Sequence, residues 1–525
     1  MKQSTTIFLR RLSILPRYLN KSEKTVVLVF AAVIFASALM CIKERFFERV
    51  VVPQLPKTYV EGTVGEIRNL VPILSQNETE KDISRLIFSS LIKFNEKREI
   101  VGDLADHWEI SEDGKTYTFF LKPAKWQDGS VVTADDVIFT FSLIRNEKLE
   151  SPFYGAFSKV EVQKKDDKTV SFTTAKVCAS FLSSLTIPIL PQSQLSNYPR
   201  ILDAPFVKKP VGSGPFHLEK IEQQKQFITV TLSQNKNYYG QIPKIDNFII
   251  NVYSTSEEAK AAYDNNEIDG LVFDKPLGDT NYKLKLPQSM ALYFNLSESF
   301  LSKDLRKAFA YSINKDEIIA AVPGSEKIDF AILPGFLGYK DSTRYDFSPD
   351  EAKKYWQKAK NKPASLSLTI SSDETNRKVA EILVKKWQEV LGINVEIKEE
   401  SNGSLQDALN ARDFDIALAG VNQKADSDPY PFWHSSQITN GLNFSGYKNK
   451  EADKLLEDGR QTLDANLRGQ KYNKFLDIIQ QDVPAIFLYQ STNYYAVKKE
   501  VQGVSDVLGV TRADRFWNVE KWTTR

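Results

Sequence analysis

Between residues 365 and 420 the chain alternates two periods, and that alternation restricts its fold more than any other stretch. SLSLTI reads as a strand. From Thr375 to Leu391 a helix is expected, with Val379, Ile382, Leu383, Trp387, Val390 and Leu391 on one stripe and Gly392 ending it. INVEI alternates as a strand, a short helix follows near Leu405 to Asn410, and FDIALAG is a third strand. Strand, helix, strand, helix, strand defines an open α/β unit, and ligands of such sheets sit beyond the carboxyl ends of the strands.

ADSDPYPFWHSSQ, residues 425–437, begins directly after that last strand. Pro429 and Pro431 exclude a regular helix interior and a central strand, so a loop is expected. Loops that hold large aromatics either pack them or present them. The position favours presentation of Tyr430, Trp433 and His434, with Phe432 packed inward. The alternative, in which all four brace the domain, stays open.

The remaining chain is also mixed α/β. Thr79 and Asp82 have capping-box spacing ahead of Ile83, Leu86, Ile87 and Leu91 on one helical face. TYTFFL is a strand after the turn Glu112-Asp113-Gly114, and Thr133 with Asp136 opens a further helix. Residues 160–173 read as a hairpin, and Ser348-Pro349-Asp350-Glu351 as a helix start. With 525 residues the chain exceeds one hydrophobic core, so two or three domains are expected.

Thr25 to Ile42 is a run of 18 residues without a charge, just long enough to cross a bilayer. Lys2, Arg10, Arg11, Arg17, Lys21 and Lys24 precede it, which places the amino terminus inside and the bulk of the chain outside. The reading is a cytoplasmic segment at 1–24, a single-pass cell-membrane anchor at 25–42 and a linker at 43–57. A cleaved signal peptide fits less well, because the charged region before the run is long and no A-x-A site follows. A lipoprotein signal would use Cys41, but Ala38-Leu39-Met40 before it is a poor match. The only other cysteine is Cys178, so no disulfide framework is expected. A net charge of +2 gives no field for nucleic acid, and none is expected as a partner.

No catalytic kit is visible. His107, His217 and His434 lie more than a hundred residues apart in sequence, without metal-ligand spacing. Gly212 to Pro215 lacks the Lys-Ser/Thr of a phosphate cradle and reads as a turn. Asp135-Asp136 and Asp413/Asp415 read as a helix cap and a solvated strand face. No enzyme activity, metal or cofactor is expected.

VGDLADHWEISEDGKTYTFFLKPAKWQDGSVVTADDVIFTF, residues 101–141, resembles the signature of family 5 extracellular solute-binding proteins, the peptide-binding components of ABC importers. The matching pieces are Asp103-Leu104-Ala105, Trp108, Asp113-Gly114, Tyr117, Phe119, Leu121, Asp128-Gly129 and Thr133 to Val137. VGSGPFHL, NKNYYGQIPKIDNFII, YFNLSESFLSKDLRKAFAYSINKDEII and NFSGYKNKEADKLL follow in family order, with Ser213, Tyr239 and Asn314 as departures. The resemblance runs from about residue 60 to the end.

It implies an α/β, two-lobe periplasmic-binding-protein-like fold of class II, cluster C type, here with an amino-terminal transmembrane helix. The first lobe would be 58–290 with a subdomain inserted at 96–209, completed by 490–525. The second would be 291–489, with the hinge near Ala291–Asn295 and Leu488–Asn493. The implied function is capture of peptides between the lobes and delivery to ABC importer permease subunits, by a monomer. Gly420, Val421, Asn422 and Gln423 would pair with peptide backbone, and Leu74 and Ser75 would face the ligand from the first lobe. Many relatives hold the peptide ammonium with an aspartate four residues before the loop proline. Here that position is Ala425, with Asp426 and Asp428 nearby as substitutes. Other cargoes of the family, such as nickel complexes and sugars, form the alternative. A peptide-acting hydrolase ectodomain or a sensory or chaperone-like ectodomain is a more distant one.

Overall fold

A computed structural model describes residues 19–47, 56–75, 77–278, 280–340, 345–426, 428–439 and 441–524, without the side chains of 41–47. Most of the segment expected at 1–24 and much of the linker expected at 43–57 lie outside the described residues. The chain divides into two compact units, Met1–Pro56 and Lys57–Arg525. The first contains a 27-residue helix, Lys21–Phe47. Its Lys21–Met40 part is long and apolar enough to cross a membrane and is buried by nothing.

The second unit is organised by one long mixed sheet. Its strands run in the order Asn394–Glu400, Ser365–Ser371, Ile416–Asn422, Asn281–Phe294, Ala485–Val497, Gly270–Phe273, Thr58–Val64, Asn247–Tyr253, Phe227–Gln234, Phe216–Gln223. The 365–420 region forms the expected α/β unit at one end, with three parallel strands. Asp373 caps its first helix, Glu374–Leu391, and Gly392 ends it at φ 72°, a left-handed conformation that glycine adopts without steric cost. The second helix, Asn402–Ala411, starts earlier than its apolar spacing implied because Ser401 caps it.

Both faces of this end are covered, as a parallel sheet requires. Along Ile416–Asn422, Ile416 and Leu418 pack into a core with Trp387 and Phe309. Ala417 and Ala419 pack on the opposite face with Tyr293, Trp433 and Phe487. A separate core gathers residues from Tyr59 to Val252 together with Tyr495, Phe516 and Trp522. The strands Ala105–Ile110, Thr116–Leu121, Glu161–Asp166 and Thr169–Thr173 form their own four-stranded sheet. It includes the expected hairpin, and Thr133 and Asp136 make the expected capping box beside it.

Two expectations of local structure need correction. The helix Glu78–Ile87 is capped by Asn77, whose side chain accepts from Glu80 N–H, and not by Thr79. Thr79 instead donates to Val64 O, and Asp82 is fully buried against Arg515. The loop after Ile416–Asn422 contains one helical turn, Tyr430–Trp433. Its prolines permit this because Pro429 caps the turn and Pro431 lies within it, where a missing N–H leaves no helical bond unmade.

Candidate functional site

Two long strands, Asn281–Phe294 and Ala485–Val497, connect the two ends of the sheet. Their ladder shifts register between Lys285 and Ser289, opposite Gln490 to Thr492. Gln490 bridges the gap by donating its side-chain amide to Leu286 O at 2.7 Å.

Strand Ile416–Asn422 borders this break. Gln423 N–H donates to Pro287 O at 2.8 Å, and Asn295 N–H donates to Asp415 O at 3.0 Å. An antiparallel strand turns alternate residues to opposite neighbours, so Ala417, Ala419 and Val421 bond on that side too. The backbone groups of Leu418, Gly420 and Asn422 therefore point the other way. There, parallel pairing with Ser365–Ser371 ends at the bridge Thr369–Ala417, which uses the Leu418 N–H. The strand thus leaves its neighbour with an open edge at its carboxyl end. Gly420 and Asn422 are exposed and Val421 is half-buried. A Cβ at Gly420 would meet Met290 Cε at an ordinary 3.5 Å, so internal packing does not require glycine there. Gln423 is buried, with its amide donating to Ala331 O at 2.6 Å.

The aromatic loop follows. Trp433 is only 3% exposed. It stacks on Tyr293 at 6.2 Å between centroids and meets Tyr447 and Phe487 edge-on. The structure thus places the Trp433 ring among core aromatics, alongside buried Phe432. Tyr430 is the more accessible ring. It lies between the His434 imidazole, stacked at 4.1 Å, and the Arg460 guanidinium, 3.9 Å above it. His434 is itself buried, with Nδ1 2.8 Å from Ser436 Oγ and Nε2 3.2 Å from Glu457 Oε1.

Both loop carboxylates have internal partners. Arg468 forks onto Asp426, with Nη1 donating to Oδ2 at 2.9 Å and Nη2 to Oδ1. Arg460 Nε and Nη2 reach Asp428 Oδ2 at 2.7 and 2.6 Å. Burial alone would lower the Arg460 guanidinium, but the Asp428 carboxylate outweighs it and holds Arg460 above its usual range. Asp428 Oδ1 also accepts from Tyr430 N–H at 3.1 Å. These two arginines had no local signal in the sequence, since each lies 32 or 42 residues beyond its aspartate.

Arg460 also meets the other end of the molecule, where its carbonyl accepts from Ala179 N–H at 2.8 Å. Nearby, a Cβ on Gly114 would come within 2.9 Å of Leu463 Cδ1. A second meeting point is Arg98, stacked 4.1 Å over the Phe336 ring and donating to Gly509 O at 3.1 Å. Leu74 and Ser75 form no strand. They follow a turn in which Leu74 N–H donates to Val71 O at 2.9 Å, and Ser75 Oγ bonds the same carbonyl. Leu74 packs against the core around Tyr59, and Ser75 is buried. The structure therefore brings Gly420 to His434 together and leaves Leu74 and Ser75 in a separate turn. Among the described residues, no group of three His, Cys, Asp or Glu side chains is placed to hold a metal ion.

The model of the middle region of bacterial extracellular solute-binding proteins, family 5, matches residues 99–443. The chain belongs to this family of ABC-transporter substrate-binding proteins. It is 26% identical over 510 residues to the oligopeptide-binding protein AppA of Bacillus subtilis, covering 90% of this chain and 92% of AppA. It is 28% identical to the probable D,D-dipeptide-binding periplasmic protein DdpA of Escherichia coli, covering 85% of this chain and 90% of that one. Among solved structures, NikZ of Campylobacter jejuni in complex with Ni(L-His) superposes with a TM-score of 0.71 at 25% identity, over 90% of this chain and all of NikZ. The fold is thus the expected periplasmic-binding-protein-like one.

Proposed function

We propose that this chain captures extended peptides outside the cytoplasm and delivers them to the permease subunits of an ABC importer. The observation that carries this reading is the open backbone edge at Gly420 and Asn422. A peptide adds to such an edge as a further strand, and main-chain hydrogen bonds hold it without demanding a sequence. Gly420 fits this role, because its missing side chain lets another backbone approach closely. Tyr430, with its ring between His434 and Arg460, is the aromatic best placed to meet the ligand. The names of AppA and DdpA support a peptide cargo. Transport relatives and the absence of a recognisable catalytic constellation in the sequence support binding without catalysis.

Residues 58–290 with 490–525, and 291–489, would act as the two lobes. Their separate cores support this division. The register break at Lys285–Ser289, opposite Gln490–Thr492, would be the hinge. Helix Lys21–Phe47 would anchor the chain in the cell membrane as a single pass, with the second unit outside.

Asp426 and Asp428 already neutralise Arg468 and Arg460, so the peptide's amino terminus would find no free carboxylate in this loop. Native mass spectrometry of the purified full chain tests the cargo: co-purified peptides are expected. Matched free and N-acetylated peptides should then bind with equal affinity. Tighter binding of the free form would show that a carboxylate of the site reads the ammonium. A second reading, a non-peptide solute, is favoured by the same occupied carboxylates and by the likeness to the Ni(L-His) complex of NikZ. Recovery of a small non-peptide ligand would establish it.

A further inference from the structure

Helix Pro349–Lys358 and the residues after it gather basic side chains on the second unit. Within 349–362 there are five lysines, 353, 354, 358, 360 and 362, against Asp350 and Glu351. Five minus two gives +3, more than the +2 of the whole protein. All five lysines are exposed. Lys354 pairs with Glu351 at 2.7 Å, while no ion pair forms at Lys353, Lys358, Lys360 or Lys362 among the described residues. Three ammonium groups crowd one ring: Lys307, Lys354 and Lys358 lie 5.3, 5.9 and 5.2 Å from the centre of Tyr355. Lys362 lies 5.8 Å over Trp356, and Phe347 stands 39% exposed beside the patch. The charges of Lys353, Lys358, Lys360 and Lys362 are the ones open to an external anion.

We propose that this lysine–aromatic surface rests on the anionic headgroups of the membrane to which the chain is tethered. The argument rests on the anchor reading above. Charge and side-chain type choose the partner. Lysine is depleted at protein–protein interfaces, whereas clustered lysines beside a bilayer are drawn to anionic lipid. Half-exposed Tyr355 and Trp356 and exposed Phe347 suit the headgroup level, where amphipathic rings settle. The consequence is an oriented binding protein, held on its side of the membrane by an attraction that salt weakens.

The test uses the full chain in nanodiscs of phosphatidylcholine alone and in discs that also contain phosphatidylglycerol. Acetylation of individual lysines is followed by mass spectrometry. In the anionic discs Lys353, Lys358, Lys360 and Lys362 should label about tenfold more slowly, a loss of contrast should follow added salt, and exposed Lys97 and Lys225 should not change. In a K358E/K360E variant the protection of Lys353 and Lys362 should disappear. Equal rates in the two discs, or slowing shared by Lys97 and Lys225, would overturn the proposal. Failure of the chain to stay with phosphatidylcholine discs would instead defeat the anchor reading. Recruitment of that chain to the anionic discs with the same lysines protected would still support the surface, and its absence would reject it.

Discussion

Two arginine–carboxylate constellations hold this molecule together, and they differ in depth. In the first, Arg515 lies between Glu61 and Asp82, with bonds of 2.8 Å to Glu61 and 2.7 Å to Asp82. Tyr59 and Tyr495 complete it by donating to Glu61 at 2.7 and 2.6 Å. All five groups are buried. In the second, Arg460 and Arg468 face Asp428 and Asp426 beside the open strand edge, and the Arg460 side chain is 33% exposed. A fully buried charge is tolerated only in one geometry, because any rearrangement strands an ion in low dielectric. Arg468 is nearly as hidden, at 6% exposure, so in the second constellation only Arg460 has water at hand to replace its partner. The first constellation therefore fixes strand Thr58–Val64 in the core, and the second fixes the aromatic loop, with one arginine open to water.

The sharpest way to break this contrast is Arg515→Met. It leaves two carboxylates unpaired in the core, so chemical denaturation should show a loss of about 3–5 kcal/mol, with unchanged affinity in the protein that still folds. Trp433→Ala should follow closely, at about 3 kcal/mol, because it removes a ring enclosed by Tyr293, Tyr447 and Phe487. If affinity falls instead while stability holds, the ring meets ligand.

Gly420→Val should leave stability within about 1 kcal/mol, since a β-branched residue suits a strand and the position has room. Peptide binding, measured by calorimetry, should weaken about tenfold or more as the new side chain obstructs the edge. Arg460→Gln should cost about 1–3 kcal/mol of stability, less than Arg515→Met because Arg460 is 33% exposed, but more than a surface pair because it leaves the largely buried Asp428 without its cation. Small-angle scattering should then show a larger radius of gyration with ligand present than wild type shows. An unchanged radius would mean that the Arg460 side chain plays no part in closure.

The smallest effect is a pH dependence. Burial raises the pKa of Glu61 and Asp82 despite the pull of Arg515. An acid whose folded pKa is raised binds its proton more tightly when folded. Its contribution to stability is therefore present at low pH and is lost as pH climbs from about 4 through the raised values. Glu61→Gln should flatten that part of the stability–pH curve. A curve of the same shape in both proteins would mean that Glu61 does not titrate there.

The α/β unit at 365–420 was legible because each piece carries its own instruction: stripe, alternation, and Gly392 at the helix end. The hairpin and the Thr133 capping box were legible for the same reason. The aromatic loop was legible in place but not in orientation. Whether Trp433 faces solvent depends on Tyr293 and Phe487, which are brought to it by strands from far along the chain. Asp426 and Asp428 looked available because Arg460 and Arg468 stand on later elements. Cap choice failed at Thr79 by two residues, because Asn77 competes for the same helix end and the chain geometry, not composition, decides between them.

The depth of the Arg515 cluster also sets a timetable for the chain. Glu61 lies on the first strand of the second unit, yet the arginine that neutralises it stands 454 residues later. Strand Thr58–Val64 likewise takes partners from Asn247–Tyr253 and Gly270–Phe273. A polypeptide emerging amino end first must keep this strand waiting, with its carboxylate hydrated, until Arg515 has appeared. Contacts of such separation form late and slowly. The core around Tyr59 is thus closed by residues that arrive long after its opening strand, and a chain cut short before Arg515 would keep that strand without a charge partner.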